Sequence, residues 1–301
     1  MMAFRNIIVE NPAHISLKND QLLIRTDAEH SVAVEDISAL LLENRQITIT
    51  TAALSRLGQG GCAVFTCDEK HMPCAVLTPY MQHSRAPAVI ASQMEMSAPA
   101  KKRLWQAVVK EKIRNQAECL RLIGKEAEGS TLAAMAERVR SGDSENVEAT
   151  AAQTYFPLLF GADFFRGDTE DGRNAALNYG YAILRGSIAR SIAVYGFLPA
   201  LGLHHRSTLN AFNLADDLIE PFRPVIDLLV YRNIDEYDTL TPEKKRLLFN
   251  CLNLDILSGG QHHAVAYAIE RLVQSLSRAM TENTAQLCLP CLLDTQQHSY
   301  E

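Results

Sequence analysis

Two histidines and four carboxylates stand close together in an otherwise apolar part of the chain, between Gly202 and Asp227. Imidazole nitrogens and carboxylate oxygens are common ligands of divalent metal ions. The structural alternatives are a core histidine bonded to backbone and an acidic pair at a helix N-terminus. Judged alone, the segment favours these structural roles over a metal site. The candidate residues are His204, His205, Asp216, Asp217, Glu220 and Asp227.

The spacing of these acids predicts which of them act together. A helix is expected to begin at about Ser207, and Asp217 and Glu220, three residues apart, then point to one side of it. Asp216 is expected to point to a different side of this helix. Asp227 lies on the same face only if the helix persists through two intervening prolines, which can kink or restart it.

A further acid, Glu148, lies near the start of another predicted helix, for which Ser144 is the expected cap. Ala151, Ala152 and Tyr155 fall on the face of Glu148, and the small alanines allow a second helix to approach it closely. A solvent-facing glutamate is the more common role for such a residue.

A polar stripe runs along the predicted helix from 173 to 195. Asn174, Asn178, Tyr181 and Arg185 recur at spacings of four, three and four residues. These side chains could contact phosphates and sugars, or orient metal ligands. Hydrogen bonding between helices explains the stripe equally well.

Two further clusters are not interpreted as metal sites, and the first of them is taken as structural or solvent-exposed. His262 and His263 are expected at the start of a helix, without a carboxylate at ligand spacing before Glu270. Cys288 and Cys291 form a lone CxxC that lacks two further ligands for zinc. The chain has no Walker loop, no GxSxG and no GxGxxG unit with its acid.

The composition is that of an ordinary globular protein with room for two domains. Of 301 residues, 47% are hydrophobic and 21% charged, and no apolar run reaches the roughly 18 residues of a membrane span. The N-terminus lacks the pattern of a signal peptide. We therefore expect a cytoplasmic protein without membrane contact, whose cysteines are reduced thiols.

The charge distribution bears on nucleic-acid binding. A net charge of −6 argues against it, but residues 85–125 hold nine lysines and arginines against three glutamates. The predicted helix within this basic segment begins with Lys101, Lys102 and Arg103. A solvated helix face is the other interpretation of this segment.

The predicted fold class is α+β, with a small β-rich N-terminal domain and a larger all-α C-terminal domain. Residues 1–80 show short β-branched runs, one short helix after Thr50 and a hairpin turn at Asn19 and Asp20. Residues 81–97, with several prolines nearby, predict a linker. Residues 98–301 predict an α-helical catalytic domain. Dimerisation and scaffolding are the expected roles of the first domain.

Four segments together resemble a known family, and they occur in its order. They are Glu-Ala-Thr-Ala-Ala-Gln-Thr-Tyr-Phe (148–156), Asn-Tyr-Gly-Tyr-Ala-Ile-Leu-Arg (178–185), Leu-Gly-Leu-His-His (201–205) and Asn-Ala-Phe-Asn-Leu-Ala-Asp-Asp-Leu-Ile-Glu-Pro-Phe-Arg (210–223). Over nearly the whole chain, the sequence looks like the integrase of CRISPR adaptation, the universal CRISPR-associated endonuclease, in its type II form.

The resemblance implies a metal site. It implies Glu148, His205 and Glu220 as catalytic metal ligands, Asp217 as a supporting acid, and Mg²⁺ or Mn²⁺ as the ion. His204 is the alternative histidine if the adjacent pair is misregistered. The helix that carries Glu148 should then pack across residues 202–227.

The resemblance also implies substrates and partners. The expected reaction inserts short double-stranded DNA fragments into a CRISPR array by 3′-hydroxyl attack. The expected assembly is a homodimer, with a small companion protein bridging two dimers. A stand-alone metal-dependent nuclease or resolvase on branched DNA, and a non-catalytic DNA-binding scaffold, are the alternatives. Candidate DNA contacts are Lys101, Lys102, Arg103, Tyr155, Asn178 and Arg185.

Overall fold

The computed structural model describes residues 5–79 and 83–299. The N-terminal part contains eight strands and one α-helix within residues 5–79, in two four-stranded sheets of order β1-β5-β7-β8 and β4-β3-β2-β6. These elements are β1 (Arg5–Val9), β2 (His14–Lys18), β3 (Gln21–Arg25), β4 (Glu29–Ala33), β5 (Ile37–Leu42), β6 (Thr48–Ile49), α1 (Thr51–Gln59), β7 (Ala63–Cys67) and β8 (Pro73–Leu77).

Local signals explain this part of the chain. Asn19 and Asp20 both adopt positive φ in the tight turn between β2 and β3, as the sequence predicts. The Thr50 hydroxyl accepts from the backbone N–H of Ala53 and caps α1. Alternate residues of β5 face opposite sides, so that Leu40 packs in the N-terminal core and Leu41 in the larger helical core.

The remaining chain is mainly helical. Its elements are α2 (Ala86–Glu95), α3 (Ala98–Leu122), α4 (Glu126–Arg138), α5 (Val147–Phe160), α6 (Gly172–Val194), α7 (Asn213–Ile219), a 3-10 turn (Glu220–Phe222), α8 (Arg223–Asn233), α9 (Pro242–Phe249), a 3-10 turn (Asn250–Asn253), β9 (Asp255–Ser258), β10 (Gln261–Ala264), α10 (Val265–Glu282) and β11 (Pro290–Cys291). The predicted α+β class is confirmed.

Helix α6 joins the two parts of the molecule. A Cβ on Gly186 would lie 2.1 Å from the Phe65 ring of β7, and one on Gly180 would lie 2.5 Å from Ile226 of α8. Only glycine permits these approaches, so α6 packs directly against the N-terminal sheet on one side and against α8 on the other.

The predicted linker contains ordered structure. Within its described residues, 83–97, α2 forms, and the buried Gln93 amide donates to the carbonyls of Leu198 (3.0 Å) and Leu201 (2.7 Å). The prolines near this segment do not prevent a helix, because Pro87 occupies the first turn, where no backbone donor is lost. The division into domains at residues 80 and 97 stays a prediction.

The C-terminal part is not all-α, which corrects the prediction. Strands β10, β9 and β11 form an antiparallel sheet, and His262 and His263 lie in β10 rather than at a helix start. Gly259 and Gly260 adopt positive φ in the turn between β9 and β10, so this glycine pair closes a hairpin. Among the helices of residues 5–79 and 83–299, none is long and apolar enough to cross a membrane.

Candidate metal-binding active site

Lys112 joins two of the predicted metal ligands. Its Nζ lies 2.6 Å from Glu148 Oε1 and 2.5 Å from Glu220 Oε2. The three side chains come from α3, α5 and the 3-10 turn after α7, and they are 12%, 22% and 7% exposed, respectively. The structure therefore brings Glu148 and Glu220, 72 residues apart in sequence, around a single cation.

Asp143, not Ser144, fixes the start of α5. Its two carboxylate oxygens accept from the backbone N–H groups of Val147 (2.9 Å) and Glu148 (3.1 Å). Asn146 takes the left-handed conformation just before the helix. The predicted cap is wrong by one residue, because the left-handed turn brings the Asp143 side chain under the first amides. Glu148 is consequently held in the first turn.

Helix α7 begins later than predicted, at Asn213 rather than near Ser207. The chain then tightens into a 3-10 turn at Glu220, and α8 starts at Arg223 with a proline in its first turn. Arg223 Nε donates to Glu220 Oε1 at 2.9 Å. Burial alone would raise the pKa of Glu220, but the charges of Lys112 and Arg223 outweigh it and lower the pKa to about 2. Glu220 is therefore ionised at neutral pH.

The predicted supporting acid, Asp217, organises the histidine loop. Its fully buried carboxylate accepts from the backbone N–H groups of Leu203 (2.5 Å), His204 (3.1 Å) and His205 (3.1 Å). His205 Nδ1 lies 2.7 Å from Asp217 Oδ1, and this hydrogen bond raises the pKa of His205. Because Nδ1 donates to the carboxylate, Nε2 is the nitrogen left to bind a metal.

The two adjacent histidines have different environments. The ring of His204 stacks on Trp105 at 4.4 Å between centroids, whereas His205 meets the same ring edge-on at 5.8 Å and is 43% exposed. Trp105 and Lys112 are seven residues apart on α3, which places them on one face about 10 Å apart. The same face of helix α3 therefore contacts His205 through Trp105 and the two glutamates through Lys112.

The two carboxylates fit a hard divalent cation. They already share one positive charge, and Glu220 Oε2 is a buried oxygen that contacts the ammonium without hydrogen-bond geometry. Oxygen ligands of this kind suit Mg²⁺ and Mn²⁺. Among the described residues, no three histidine, cysteine, aspartate or glutamate side chains are close enough to hold one ion. His205 is therefore not gathered with Glu148 and Glu220 in this arrangement, and the Lys112 ammonium lies between the two glutamates.

A second buried cluster lies behind Glu220. The hydroxyls of Tyr155 and Tyr181 both donate to Asp227, the former at 3.1 Å. The Arg223 guanidinium lies 4.4 Å from the centroid of the Tyr181 ring. Burial raises the pKa of Asp227 to about 6, against the opposing effect of the two tyrosine hydrogen bonds. These contacts connect α5, α6 and α8 under the glutamate pair.

The model of the family described as "CRISPR associated protein Cas1" matches residues 7–244. The chain belongs to the Cas1 family. It is 43% identical, over 305 aligned residues and the full length of both chains, to the CRISPR-associated endonuclease Cas1 of Neisseria meningitidis serogroup C (strain 8013). Glu148, His205 and Glu220 all lie within the range that the Cas1 family model matches.

Two solved structures share the Cas1 fold with this chain. A casposase bound to integration product has a TM-score of 0.76 at 19% identity, covering 95% of this chain and 92% of its own. A chain of a Cas6-RT-Cas1–Cas2 complex has a TM-score of 0.71 at 18% identity, covering 96% of this chain and 36% of its own. The predicted family, the fold and the endonuclease class of this Cas1 chain are confirmed. The type II form stays a prediction.

Helix α5 was predicted to pack across residues 202–227, and in the structure it does so only in part. Helix α5 packs mainly against α3 and α4, and it reaches the segment after Gly202 through Tyr155 and Asp227. Ala151 is fully buried, and Ala152 lines the cavity beside Glu220. Helix α3, with Lys112, lies between the two predicted carboxylate ligands.

The candidate DNA contacts divide into two groups. Lys102 and Arg103 are exposed and Lys101 is partly exposed at the start of α3, and Arg103 also donates to Asn283 (3.2 Å); their contact with DNA stays a prediction. Tyr155 is fully buried, which contradicts a direct contact. Asn178 accepts from Arg166 (2.9 Å), and Arg185 pairs with Asp216 (2.5 Å), so these two side chains bond within the protein.

Lys112, Arg166 and Arg223 belong to this Cas1 site and were missed as site residues. Lys112 is the one charged residue in a stripe with Trp105, Val108, Val109 and Ile113. A cation on a buried face needs a buried anion, and this was the signal available in the sequence.

Proposed function

We propose that the chain inserts short DNA fragments into a CRISPR array in a metal-dependent transesterification, with Glu148, His205 and Glu220 as the metal ligands. The convergence of Glu148 and Glu220 on one cation carries this proposal. The orientation of His205 by a buried carboxylate supports it, because a carboxylate behind a metal-binding imidazole fixes the tautomer and ring orientation.

The residues fit Mg²⁺ or Mn²⁺ better than zinc, which favours more nitrogen and sulfur ligands. Glu148 and Glu220 would bind through the oxygens that now contact Lys112, and His205 through Nε2. A bound ion would supply activation of the attacking hydroxyl and stabilisation of charge on the phosphate and the leaving oxygen. Lys112 must withdraw from at least one glutamate for both to bind an ion.

The reaction needs no protein nucleophile. The 3′-hydroxyl of the incoming fragment loses its proton and attacks a phosphodiester of the array, so that one P–O bond forms, another breaks, and the leaving 3′-oxygen gains a proton. With water as attacker the same site would hydrolyse DNA. The exposed basic start of α3, with Lys102 and Arg103, is proposed to contact the DNA backbone.

The proposed assembly is a homodimer, with a small companion protein bridging two dimers. The likeness to a chain solved in a Cas6-RT-Cas1–Cas2 complex supports a companion protein. The likeness to a casposase solved with its integration product supports double-stranded DNA as substrate.

The test of this function is the product formed from a labelled 3′-hydroxyl duplex and a repeat-containing plasmid, with Mg²⁺ or Mn²⁺ and the companion protein. We expect label joined to the plasmid at the repeat. Cleavage of branched DNA without any joined product would instead establish a stand-alone nuclease or resolvase. DNA binding with no metal-dependent turnover would establish a scaffold.

A further inference from the structure

The backbone of the histidine loop, residues 202–209, is held by two buried side chains of α7. Asp217 accepts from three successive amides of the loop, and Asn213 donates to the Ser207 carbonyl (2.9 Å). A Cβ on Gly202 would lie 2.7 Å from Asp217 Oδ2, so only glycine lets the chain pass this close. These contacts fix the backbone, and they leave the faces of the two histidine rings to be fixed by other side chains.

The ring of His204 lies flat against Trp105. The two ring planes are 6° apart, and the ring centroids are 4.4 Å apart. Trp105 is 1% exposed within α3, whereas His204 is exposed, so the imidazole covers one face of a buried indole. Stacked aromatic rings attract each other beyond the apolar area that they bury. The stack therefore fastens the loop to α3, the helix that carries Lys112 about two turns further on.

The indole N–H of Trp105 is buried and has no hydrogen-bond partner within residues 5–79 and 83–299. A buried donor left unpaired costs free energy that a phenylalanine at the same position would avoid. The larger indole ring, however, contacts His204 face-on and His205 edge-on, with 5.8 Å between the centroids of the second pair. One tryptophan thus contacts both histidines of the loop.

The rings of His204 and His205 stand at right angles to each other. Their planes are 88° apart, with 5.7 Å between the centroids. His205 is therefore in contact with His204, with Trp105 and, through Nδ1 at 2.7 Å, with Asp217. Contacts with three side chains restrict rotation of the His205 ring, and this sets the direction of Nε2.

We propose that His204 is a positioning residue for His205, and that it acts through its stack on Trp105. His204 lies against the indole and in turn limits the rotation of the His205 ring, so that Nε2 keeps one direction. A ligand that is already fixed loses less conformational entropy when an ion binds, so the affinity is higher. This inference rests on the proposed function and gives the first histidine of the pair a role other than metal ligation.

The test compares the Mn²⁺ affinity of two variants at this exposed position, measured without DNA from the electron paramagnetic resonance signal of free Mn²⁺. His204→Ala removes the stack, and we expect the affinity to fall about fivefold, the size of one aromatic stack. His204→Phe keeps a flat ring without ring nitrogens, and its affinity should equal that of the unaltered protein. Unchanged affinity in His204→Ala, or equal losses in both variants, would overturn the inference.

A second readout needs no metal. Trp105 is the one tryptophan of the sequence, so its fluorescence reports on the stack. We expect the emission of His204→Ala to move to longer wavelength, because water reaches the indole, and that of His204→Phe to stay in place. Leu209→Ala is the matched control and should change neither emission nor affinity, because Leu209 is 97% exposed in the same loop. An unshifted emission in His204→Ala would contradict the stack.

Trp105→Leu tests the other ring of the stack. It should weaken Mn²⁺ binding at least as much as His204→Ala does, and adding His204→Ala to it should cause no further loss, because both changes remove the same contact. Additive losses would contradict action through the stack. If Trp105→Leu does not fold, the two variants of the exposed His204 remain decisive.

The failure of this inference can be told from that of the proposed function. Mn²⁺ affinity unchanged by His205→Ala would reject the proposed metal site. An affinity lowered by His205→Ala but not by His204→Ala would keep the metal site and reject the positioning role. Loss of binding in His204→Phe, with binding retained in His205→Ala, would make His204 the ligand and overturn both.

Discussion

The Lys112 ammonium lies 2.5 Å from Glu220 Oε2, inside the site proposed to bind a divalent ion. It contacts Glu148 at 2.6 Å on its other side. Burial alone would lower the pKa of Lys112, but the two glutamates outweigh this effect and raise it, so the side chain stays charged. Lys112 therefore offsets part of the charge of the two carboxylates when no metal is bound, and a metal must compete with it.

Lys112→Met should make stability depend on the metal. Removing one member of a buried ion pair leaves uncompensated charge, so we expect the metal-free variant to lose about 3–5 kcal/mol of unfolding free energy. Added Mn²⁺ should raise the melting temperature of this variant more than that of the unaltered protein. Thermal denaturation with and without Mn²⁺ checks this.

Lys110→Met is the control for that experiment, because Lys110 is on the same helix and pairs at 3.6 Å with the exposed Glu137. It should change neither the stability nor the response to Mn²⁺ appreciably. Equal shifts with Mn²⁺ in the two variants would contradict the assignment of Lys112 as the competing cation.

Asp217→Asn should lower the pKa of His205. The carboxylate accepts from the imidazole and from three backbone amides, and the neutral amide cannot support the imidazolium equally well. We also expect a loss of about 1–3 kcal/mol of stability from the weakened hydrogen bonds. Titration of the His205 ring by NMR measures the pKa, with Asp216→Asn as the control, because Asp216 pairs with Arg185 and raises the pKa of His205 less than Asp217 does. An unchanged pKa in Asp217→Asn would refute this role.

Asp227 should make the stability depend on pH. Its pKa is about 6 in the folded protein and has an ordinary value of 3.8. A folded-state pKa raised in this way favours the protonated form, so its contribution is fully present below about pH 4 and is lost as the pH rises through 6. Relative to Asp227→Asn, the unaltered protein should lose up to about 3 kcal/mol between pH 4 and 7. Urea denaturation across this range measures the difference, and a constant difference would contradict the protonated state.

Two helix glycines should respond to alanine in opposite directions. At Gly186 the added Cβ would meet the Phe65 ring at 2.1 Å, so Gly186→Ala should destabilise the protein by about 1–3 kcal/mol. At Gly58 of α1 the nearest atom is 3.9 Å away, and Gly58→Ala should stabilise it by about 0.5–1 kcal/mol. Chemical denaturation compares them, and a stable Gly186→Ala would refute the close approach of α6 to the sheet.

The N-terminal strands were predictable because their signals are local. Alternating β-branched residues and the turn at Asn19 and Asp20 lie within a few positions of one another. The hairpin of β9 and β10 was missed because Gly259 and Gly260 resemble a helix boundary as well as a turn. The cap of α5 was misplaced by one residue because Asp143 and Ser144 are both good caps.

The site was predictable only in part, because its residues are brought together by tertiary packing and not by local signals. The resemblance to the integrase family supplied Glu148, His205 and Glu220, but not the cation between the glutamates. Lys112 is 36 residues from Glu148 and 108 from Glu220, and only tertiary packing brings these side chains together. Tyr155 was assigned to DNA because its polar group was visible in sequence, whereas its burial against Asp227 was not.

The most direct test of the account is joining of a 3′-hydroxyl duplex to a repeat-containing plasmid by Glu148→Ala, His205→Ala and Glu220→Ala, with Glu145→Ala as control. Glu145 is an exposed glutamate near the start of α5 that pairs with Arg140. We predict a loss of joined product of at least a hundredfold in the first three variants, as expected for loss of metal ligation, and full activity in the control. Full joining activity in Glu148→Ala or His205→Ala would contradict the proposed site.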